Sequence, residues 1–83
     1  MSIKVLFFAS LREQAGVGQM QVKAQNLGAV LSALRETLSD SAMQAVETDN
    51  VRIAVNQELI EFELDLSLID GDEVAFMPPI TGG

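Results

Sequence analysis

Residues 70–79 read Asp-Gly-Asp-Glu-Val-Ala-Phe-Met-Pro-Pro. This stretch predicts a turn, a strand and the end of that strand. The Asp-Gly-Asp sequence is a strong turn signal. Period-two alternation then predicts a strand over residues 73–77, with Val74 and Phe76 on its inner side. Proline cannot continue a sheet ladder because it lacks a backbone N–H. The last strand therefore ends near Met77, and we expect the residues beyond it to leave the body of the domain.

The start of the chain predicts a second long strand. Residues 3–9, Ile-Lys-Val-Leu-Phe-Phe-Ala, are rich in β-branched and aromatic side chains, and alternate residues from Ile3 onward should face inward. Residues 10–15 predict a short helical turn closed by Gly16. A further strand over residues 19–23 follows so closely that we expect it to pair antiparallel with the first.

The middle of the chain predicts an amphipathic helix over residues 27–38, with Asn26 as its N-cap and Gly28 weakening its first turn. The apolar positions at helical spacing are Leu27, Val30, Leu31, Leu34 and Leu38. Residues 39–47 predict a second helical segment, and residues 51–55 predict a strand. A turn beginning at Asn56-Gln57 then leads into a short strand at Leu59-Ile60.

This order of elements predicts an α+β domain with one main helix packed across a mixed sheet of about five strands. If the helix connects the first hairpin to the later strands, the first and last strands can lie parallel at the centre of the sheet. That is the β-grasp, or ubiquitin-like, arrangement. A ferredoxin-like sandwich would need a second full helix, and residues 57–69 show no helical stripe. We expect a β-grasp domain over residues 1–77 and an extended tail over residues 78–83.

The composition excludes several kinds of chemistry. With 83 residues the chain forms one domain, and without cysteine or histidine it cannot use zinc fingers, thiol catalysis or a histidine base. A net charge of −7 argues against a nucleic-acid partner. Because residues 47–83 hold nine acids and one base, we expect a basic or neutral protein partner, the alternative being a merely solvated face. No apolar run is long enough for a leader or a membrane span, so we expect a cytoplasmic protein.

The end of the chain, Gly82-Gly83, has no side chains, so its backbone can thread a narrow channel. The terminal carboxylate is ionised at neutral pH and is a poor electrophile, so it must be activated to react. An acyl-adenylate formed by a separate nucleotide-binding enzyme would suffice, since this sequence contains no P-loop. The alternative is a frayed terminus without function, because two terminal glycines occur by chance in about one chain in 200.

Three stretches together carry a resemblance to a known family. They are IKVLFFASLRE at residues 3–13, AVNQEL at residues 54–59 and DGDEVAFMPPITGG at residues 70–83. With them the chain resembles the small, sulfur-carrier subunits of molybdopterin synthase, the MoaD family of ubiquitin-like proteins. It departs from that pattern at Met77, where phenylalanine is usual, and in residues 63–69, which are a residue or two longer than usual.

The resemblance implies a carrier that binds no cofactor or metal itself. An enzyme similar to ubiquitin-activating enzymes would use ATP with Mg²⁺ to adenylate Gly83, and a sulfur donor protein would convert it to a thiocarboxylate. Gly82 and Gly83 would then enter the large synthase subunit, in a heterotetramer of two small and two large subunits, and sulfur would pass to cyclic pyranopterin monophosphate. The residues expected to bind partners are Phe8, Arg12, Leu59, Ala75, Met77, Pro78, Pro79, Ile80 and Thr81.

Some of these expectations come from strand alternation. If the first and last strands are parallel neighbours, Leu6 and Phe8 lie beside Ala75 and Met77 as an apolar patch on the outer face, next to the tail. The alternative is that a short helix or a loop covers these residues as ordinary core. Arg12 and Leu59 are added because they match positions that contact partners in the family. Two other functions stay open: a sulfur carrier for thiamine thiazole synthesis, and a ubiquitin-like modifier or binding module whose Gly83 is joined to lysines.

Overall fold

The computed structural model describes residues 2–48 and 50–78. The strands are β1 (Ser2–Phe7), β2 (Gln19–Lys23), β3 (Arg52–Val55), β4 (Glu58–Ile60) and β5 (Glu73–Met77); the helices are α1 (Ala9–Ala15), α2 (Leu27–Thr37) and α3 (Asp40–Val46). The strands form one sheet in the order β2-β1-β5-β3-β4. β1 and β5 pair in parallel at its centre, and the other pairs are antiparallel. The predicted β-grasp arrangement is confirmed.

The centre of the sheet is fixed by aligned apolar residues on its inner face. Val5 pairs with Val74 and Phe7 with Phe76 across the parallel ladder. The rings of Phe7 and Phe76 stack with their centroids 5.8 Å apart, and Phe76 is fully buried. On the other side of β5, Ile53 lies opposite Phe76. The predicted inward positions of Val74 and Phe76 are therefore confirmed, and burial of these large side chains stabilises the central strands.

The helices α1, α2 and α3 all pack against this inner face. α2 is the longest, with 11 residues, and α1 and α3 have 7 each. Their buried side chains join those of the strands in one core: Leu11 from α1, Leu27, Val30, Leu31 and Leu34 from α2, and Met43 and Val46 from α3. The main helix was predicted correctly, and the two short helical segments pack beside it on the same side of the sheet. The opposite face of the sheet is left without a helix in the part of the chain that the structure describes.

The first turn of α2 is closed by a side chain and by a loop. Asn26 accepts a hydrogen bond from the Ala29 N–H at 2.8 Å, which confirms the predicted N-cap. The N–H of Gly28 donates to the Leu64 carbonyl at 2.9 Å. A Cβ at Gly28 would lie 3.2 Å from that carbonyl oxygen, so glycine gives the loop room to approach. Instead of merely weakening the helix, Gly28 lets residues 61–66 satisfy N–H groups that lack partners at a helix start.

Several element boundaries differ from prediction by one or two residues. β1 ends at Phe7 and not at residue 9, because Ala9 takes a φ of +52° and turns the chain into α1. α2 ends at Thr37, and Leu38 is its C-cap. β3 begins at Arg52, one residue later than predicted. The bounds of β2 and β5 agree with the prediction.

A polar clip joins the turn before β5 to the turn between β3 and β4. Asn56 Nδ2 donates to Asp72 Oδ1 at 3.0 Å, and the Glu73 N–H donates to Asn56 Oδ1 at 3.0 Å. The other carboxylate oxygen of Asp72 accepts from the Ile69 N–H at 2.9 Å. The hydrogen bond from Asn56, followed by that from Ile69, lowers the pKa of Asp72 below the ordinary aspartate value. These bonds favour the ionised form.

Substitution Asp72→Asn should therefore destabilise the fold in a pH-dependent way. The single amide oxygen can replace only one of the two accepting carboxylate oxygens. Because the folded-state pKa is depressed, the carboxylate's contribution is fully present above the unfolded-state pKa and is lost as the pH falls through the lowered value. Thermal unfolding should show a lower midpoint for the variant at neutral pH and a smaller difference in acid. Asp65→Asn, at an exposed acid, is the control; a difference independent of pH would contradict the assignment.

Candidate functional site

An apolar row crosses the sheet on the face opposite the helices. Leu6 pairs with Ala75 across the parallel ladder, Ala75 pairs with Ala54, and Ala54 pairs with Leu59. These four residues come from four adjacent strands, so their side chains share one face at one level of the sheet. The row depends on β5 lying between β1 and β3, since that order makes the row continuous from Leu6 to Leu59.

The row has a shape suited to receiving a partner. Ala54 and Ala75 are each only 6% exposed, but neither belongs to the main core. Leu59 at one end is 68% exposed, and Leu6 at the other end is half-buried. Two small residues between two leucines form a shallow trough with apolar walls. An exposed apolar feature of this kind is typical of protein interfaces.

The trough continues to the point where the chain leaves β5. The Phe8 N–H donates to the Phe76 carbonyl at 3.1 Å, which holds Phe8 beside the end of β5 while its side chain stays 45% exposed. Met77 ends β5 half-buried, and Pro78 follows it as the last described residue. We call this surface the outer-face patch; its residues are Leu6, Phe8, Ala54, Leu59, Ala75 and Met77. Whatever binds it lies next to the start of the tail.

The expected partner-binding residues fall into three groups. Phe8, Leu59, Ala75 and Met77 lie together in the outer-face patch, with Pro78 at its border. Arg12 is not in the patch: its stem lies over Gly18, where a Cβ would come within 3.2 Å of Arg12 Cδ, near the end of β1. The predicted tail residues Pro79, Ile80, Thr81, Gly82 and Gly83 lie outside the described residues.

Two residues of this face were missed from sequence. Ala54 alternates with the inward Ile53, so its outward direction could have been read from the pattern. Its place in the patch could not, because that depends on the pairing of β3 with β5. Arg52 lies opposite Met77 on the same ladder and puts a cation at the border of the patch. The local sequence gives no signal for that juxtaposition.

The polar groups do not resemble a reaction centre. No polar or charged side chain is buried, and no three metal-ligating carboxylates gather, anywhere in residues 2–48 and 50–78. The Arg35 guanidinium donates to Glu47 at 2.6 Å, and this bond, with the attraction of the carboxylate, raises the pKa of Arg35. That pair joins α2 to the end of α3, away from the patch. The apolar outer-face patch is therefore better suited to binding than to catalysis.

Over the same residues, none of the helices combines the length and the apolar character that crossing a membrane requires. The longest, α2, has only 11 residues. A bilayer-spanning helix needs about 20.

Comparison with known proteins gives consistent results. The model of the ThiS family matches residues 5–83. A curated relative in Escherichia coli (strain K12), the molybdopterin synthase sulfur carrier subunit, is 46% identical over 84 residues, covering 98% of this chain and 99% of the relative. Among solved structures, SAMP1 from Haloferax volcanii has a TM-score of 0.82 at 27% identity, with both chains fully covered. A complex of subunits 1 and 2 of molybdopterin-converting factor from Helicobacter pylori 26695 contains a chain with a TM-score of 0.73 at 29% identity, again with full coverage of both.

Proposed function

Because this chain belongs to the ThiS family, we propose that it is the sulfur-carrier subunit of a molybdopterin synthase. The observation that carries the proposal is the 46% identity, over nearly all of both chains, to a relative that bears that name. The geometry supports it, since the outer-face patch offers apolar side chains beside the end of β5, where the tail begins. The same name, matched over full length, favours molybdopterin synthesis over thiamine thiazole synthesis as the pathway served.

The chemistry of the carrier follows from what the chain lacks. Without cysteine it cannot hold transferable sulfur as a side-chain persulfide, so the terminal carboxyl group of Gly83 is the remaining place for it. In our proposal a separate enzyme binds ATP with Mg²⁺, and a Gly83 carboxylate oxygen attacks the α-phosphorus as pyrophosphate leaves. A sulfur nucleophile then attacks the activated carbonyl carbon, and AMP leaves. The resulting thiocarboxylate donates its sulfur to cyclic pyranopterin monophosphate.

In this proposal the patch and the tail bind different parts of the large subunit. The large synthase subunit covers the outer-face patch, and the residues beyond Pro78 enter its active site. Five residues can span at most about 18 Å, enough to enter a pocket beside the docking surface. The Helicobacter pylori complex of subunits 1 and 2 supports such an assembly. We propose a heterotetramer of two small and two large subunits that acts in the cytoplasm.

Deleting Gly83 tests the reactive position. The truncated chain should lose sulfur donation completely, because its new terminus is one residue too short to reach the reacting atoms. Its thermal unfolding midpoint should be unchanged. Intact mass measured after incubation with an adenylating enzyme, ATP and sulfide should show exchange of oxygen for sulfur in the full chain only. Thiocarboxylate on the truncated chain would overturn the role of Gly83.

Substitution Leu59→Asp tests the docking surface. A charge at the wall of the apolar trough should weaken binding of the large subunit about 30-fold or more, as expected for an apolar side chain that the partner buries. Stability should be nearly unchanged, because Leu59 is 68% exposed. Titration calorimetry gives the affinity, with Ile69→Asp as the matched control, since Ile69 is 67% exposed but lies outside the patch. Equal loss in both variants would show that added charge alone, and not the patch, is responsible.

A second function is favoured by one observation. Several structural neighbours are small archaeal modifier proteins, with identities of 26–27% to this chain. A modifier would become joined to lysines of other proteins through Gly83. Peptide mass spectrometry of cell extracts discriminates the two functions. A carrier should appear as free chain bearing a thiocarboxylate, whereas Gly-Gly remnants on target lysines at comparable abundance would favour the modifier.

A further inference from the structure

A second exposed apolar surface lies away from the outer-face patch. In residues 61–65, Glu-Phe-Glu-Leu-Asp, the side chains of Phe62 and Leu64 are 53% and 55% exposed. Together with Glu63 and Asp65 they line a shallow open hollow. We call residues 61–65 the acidic-apolar loop. Exposing two large apolar side chains within three residues costs solvation free energy that folding does not recover.

The loop is held in place by its backbone. The Leu64 carbonyl accepts from the Gly28 N–H at 2.9 Å, and the Glu63 carbonyl accepts from the Leu66 N–H at 3.1 Å. Gly28 leaves room for this approach, since a Cβ there would lie 3.2 Å from the Leu64 oxygen. The main chain is thus fixed against α2 while the apolar side chains point away from the core. The fold therefore holds Phe62 and Leu64 in exposed positions.

The charges select the occupant of this surface. Glu61, Glu63 and Asp65 alternate with the two apolar residues, so a second copy of the chain would bring like charges together. The chain's own terminal carboxylate is repelled in the same way. A complementary surface must carry lysine or arginine around an apolar centre. The occupant is therefore another protein with a basic docking surface.

The position of the loop indicates which protein this is. The loop contacts α2, on the helical side of the sheet, whereas the outer-face patch lies on the opposite side. A partner on the patch that holds the tail leaves the loop free. An acyl-adenylate is open to hydrolysis, so it is best consumed while still enclosed by the enzyme that formed it. Because that enzyme must hold the tail, and the outer-face patch borders the tail, the opposite side of the sheet is the side left for the sulfur donor.

We propose that the acidic-apolar loop docks the basic surface of the protein that supplies sulfur while the carrier is bound to its adenylating enzyme. This inference rests on the proposed carrier function. In the step it serves, the terminal sulfur of the donor's persulfide attacks the Gly83 carbonyl carbon and AMP leaves. Two thiol groups of a reductant then cleave the acyl disulfide and are oxidised to a disulfide, giving the thiocarboxylate and the donor's free thiol.

The test compares a protein donor with inorganic sulfide. The full chain, or its Phe62→Ser/Leu64→Ser variant, is incubated with the adenylating enzyme and ATP, and dithiothreitol is added only when the reaction is stopped, to release thiocarboxylate from the acyl disulfide. Sulfur comes from one of two sources. One is sodium sulfide. The other is a persulfide-bearing protein from the organism that makes this chain, chosen because it loads the wild-type chain faster than the other persulfide-bearing proteins tried. Pyrophosphate release measures adenylation, and intact mass measures thiocarboxylate. Ile69→Ser is the matched control, because Ile69 is 67% exposed in the turn that follows.

With the protein donor below saturation, the double variant should form thiocarboxylate about tenfold more slowly, as expected for loss of a central apolar contact. Adenylation and loading from sulfide should be unchanged, as should every rate of Ile69→Ser. Replacing the three acids by Glu61→Gln, Glu63→Gln and Asp65→Asn should slow loading from the protein donor but not from sulfide. The rate of loading from the protein donor should also depend less on salt concentration than it does in the wild-type chain.

Two results would overturn the docking proposal: an unchanged rate with the protein donor, or an equal loss with sulfide or in pyrophosphate release. The second would assign the loop to the adenylating enzyme. Failure of the carrier function itself has a separate signature, since the wild-type chain would then acquire no sulfur from either source.

Discussion

The parallel pairing of β1 with β5 places the two ends of the sequence side by side at the centre of the sheet. On the inner face this pairing aligns Val5 with Val74 and stacks Phe7 on Phe76. On the outer face it aligns Leu6 with Ala75 and leaves Phe8 beside the end of β5. One ladder therefore builds both the core and the outer-face patch. A change that shifted its register by one residue would exchange the two faces and lose both.

Residue size distinguishes the two faces of the central strands. Inward positions hold aromatic and branched side chains that fill the space beneath the helices, whereas the outward positions Ala54 and Ala75 are small. The small residues are buried by their neighbours without belonging to the core, and they leave a trough between Leu6 and Leu59. Polar side chains at these positions would make the protein more soluble. The apolar character of the trough, next to the start of the tail, suits a domain whose end has to be delivered into another protein.

The two exposed apolar surfaces also differ in position and in the charges around them. The reactive group of the proposed carrier is carried by its chain end, so several proteins must handle one small domain. Opposite sides of the sheet offer two separate surfaces, one with a cation at its border and one with three acids. Such a separation allows two partners to be held at once and discriminates between them by charge.

Local signals along the chain were enough to define the elements and their faces. Alternation predicted the bounds of β2 and β5 and the inward direction of Val74 and Phe76, and capping chemistry predicted Asn26, because these signals arise from residues close together in the chain. The Gly-Gly end made the terminal carboxylate a candidate reactive group from the motif alone, and the family resemblance implied its role.

Which strands are neighbours was decided by tertiary packing. The pairing of β3 with β5 placed Ala54 in the patch and Arg52 at its border, and Gly28 gained its role from the approach of the Leu64 carbonyl. Those contacts depend on packing between segments that are distant in the sequence, which no local pattern in the chain encodes.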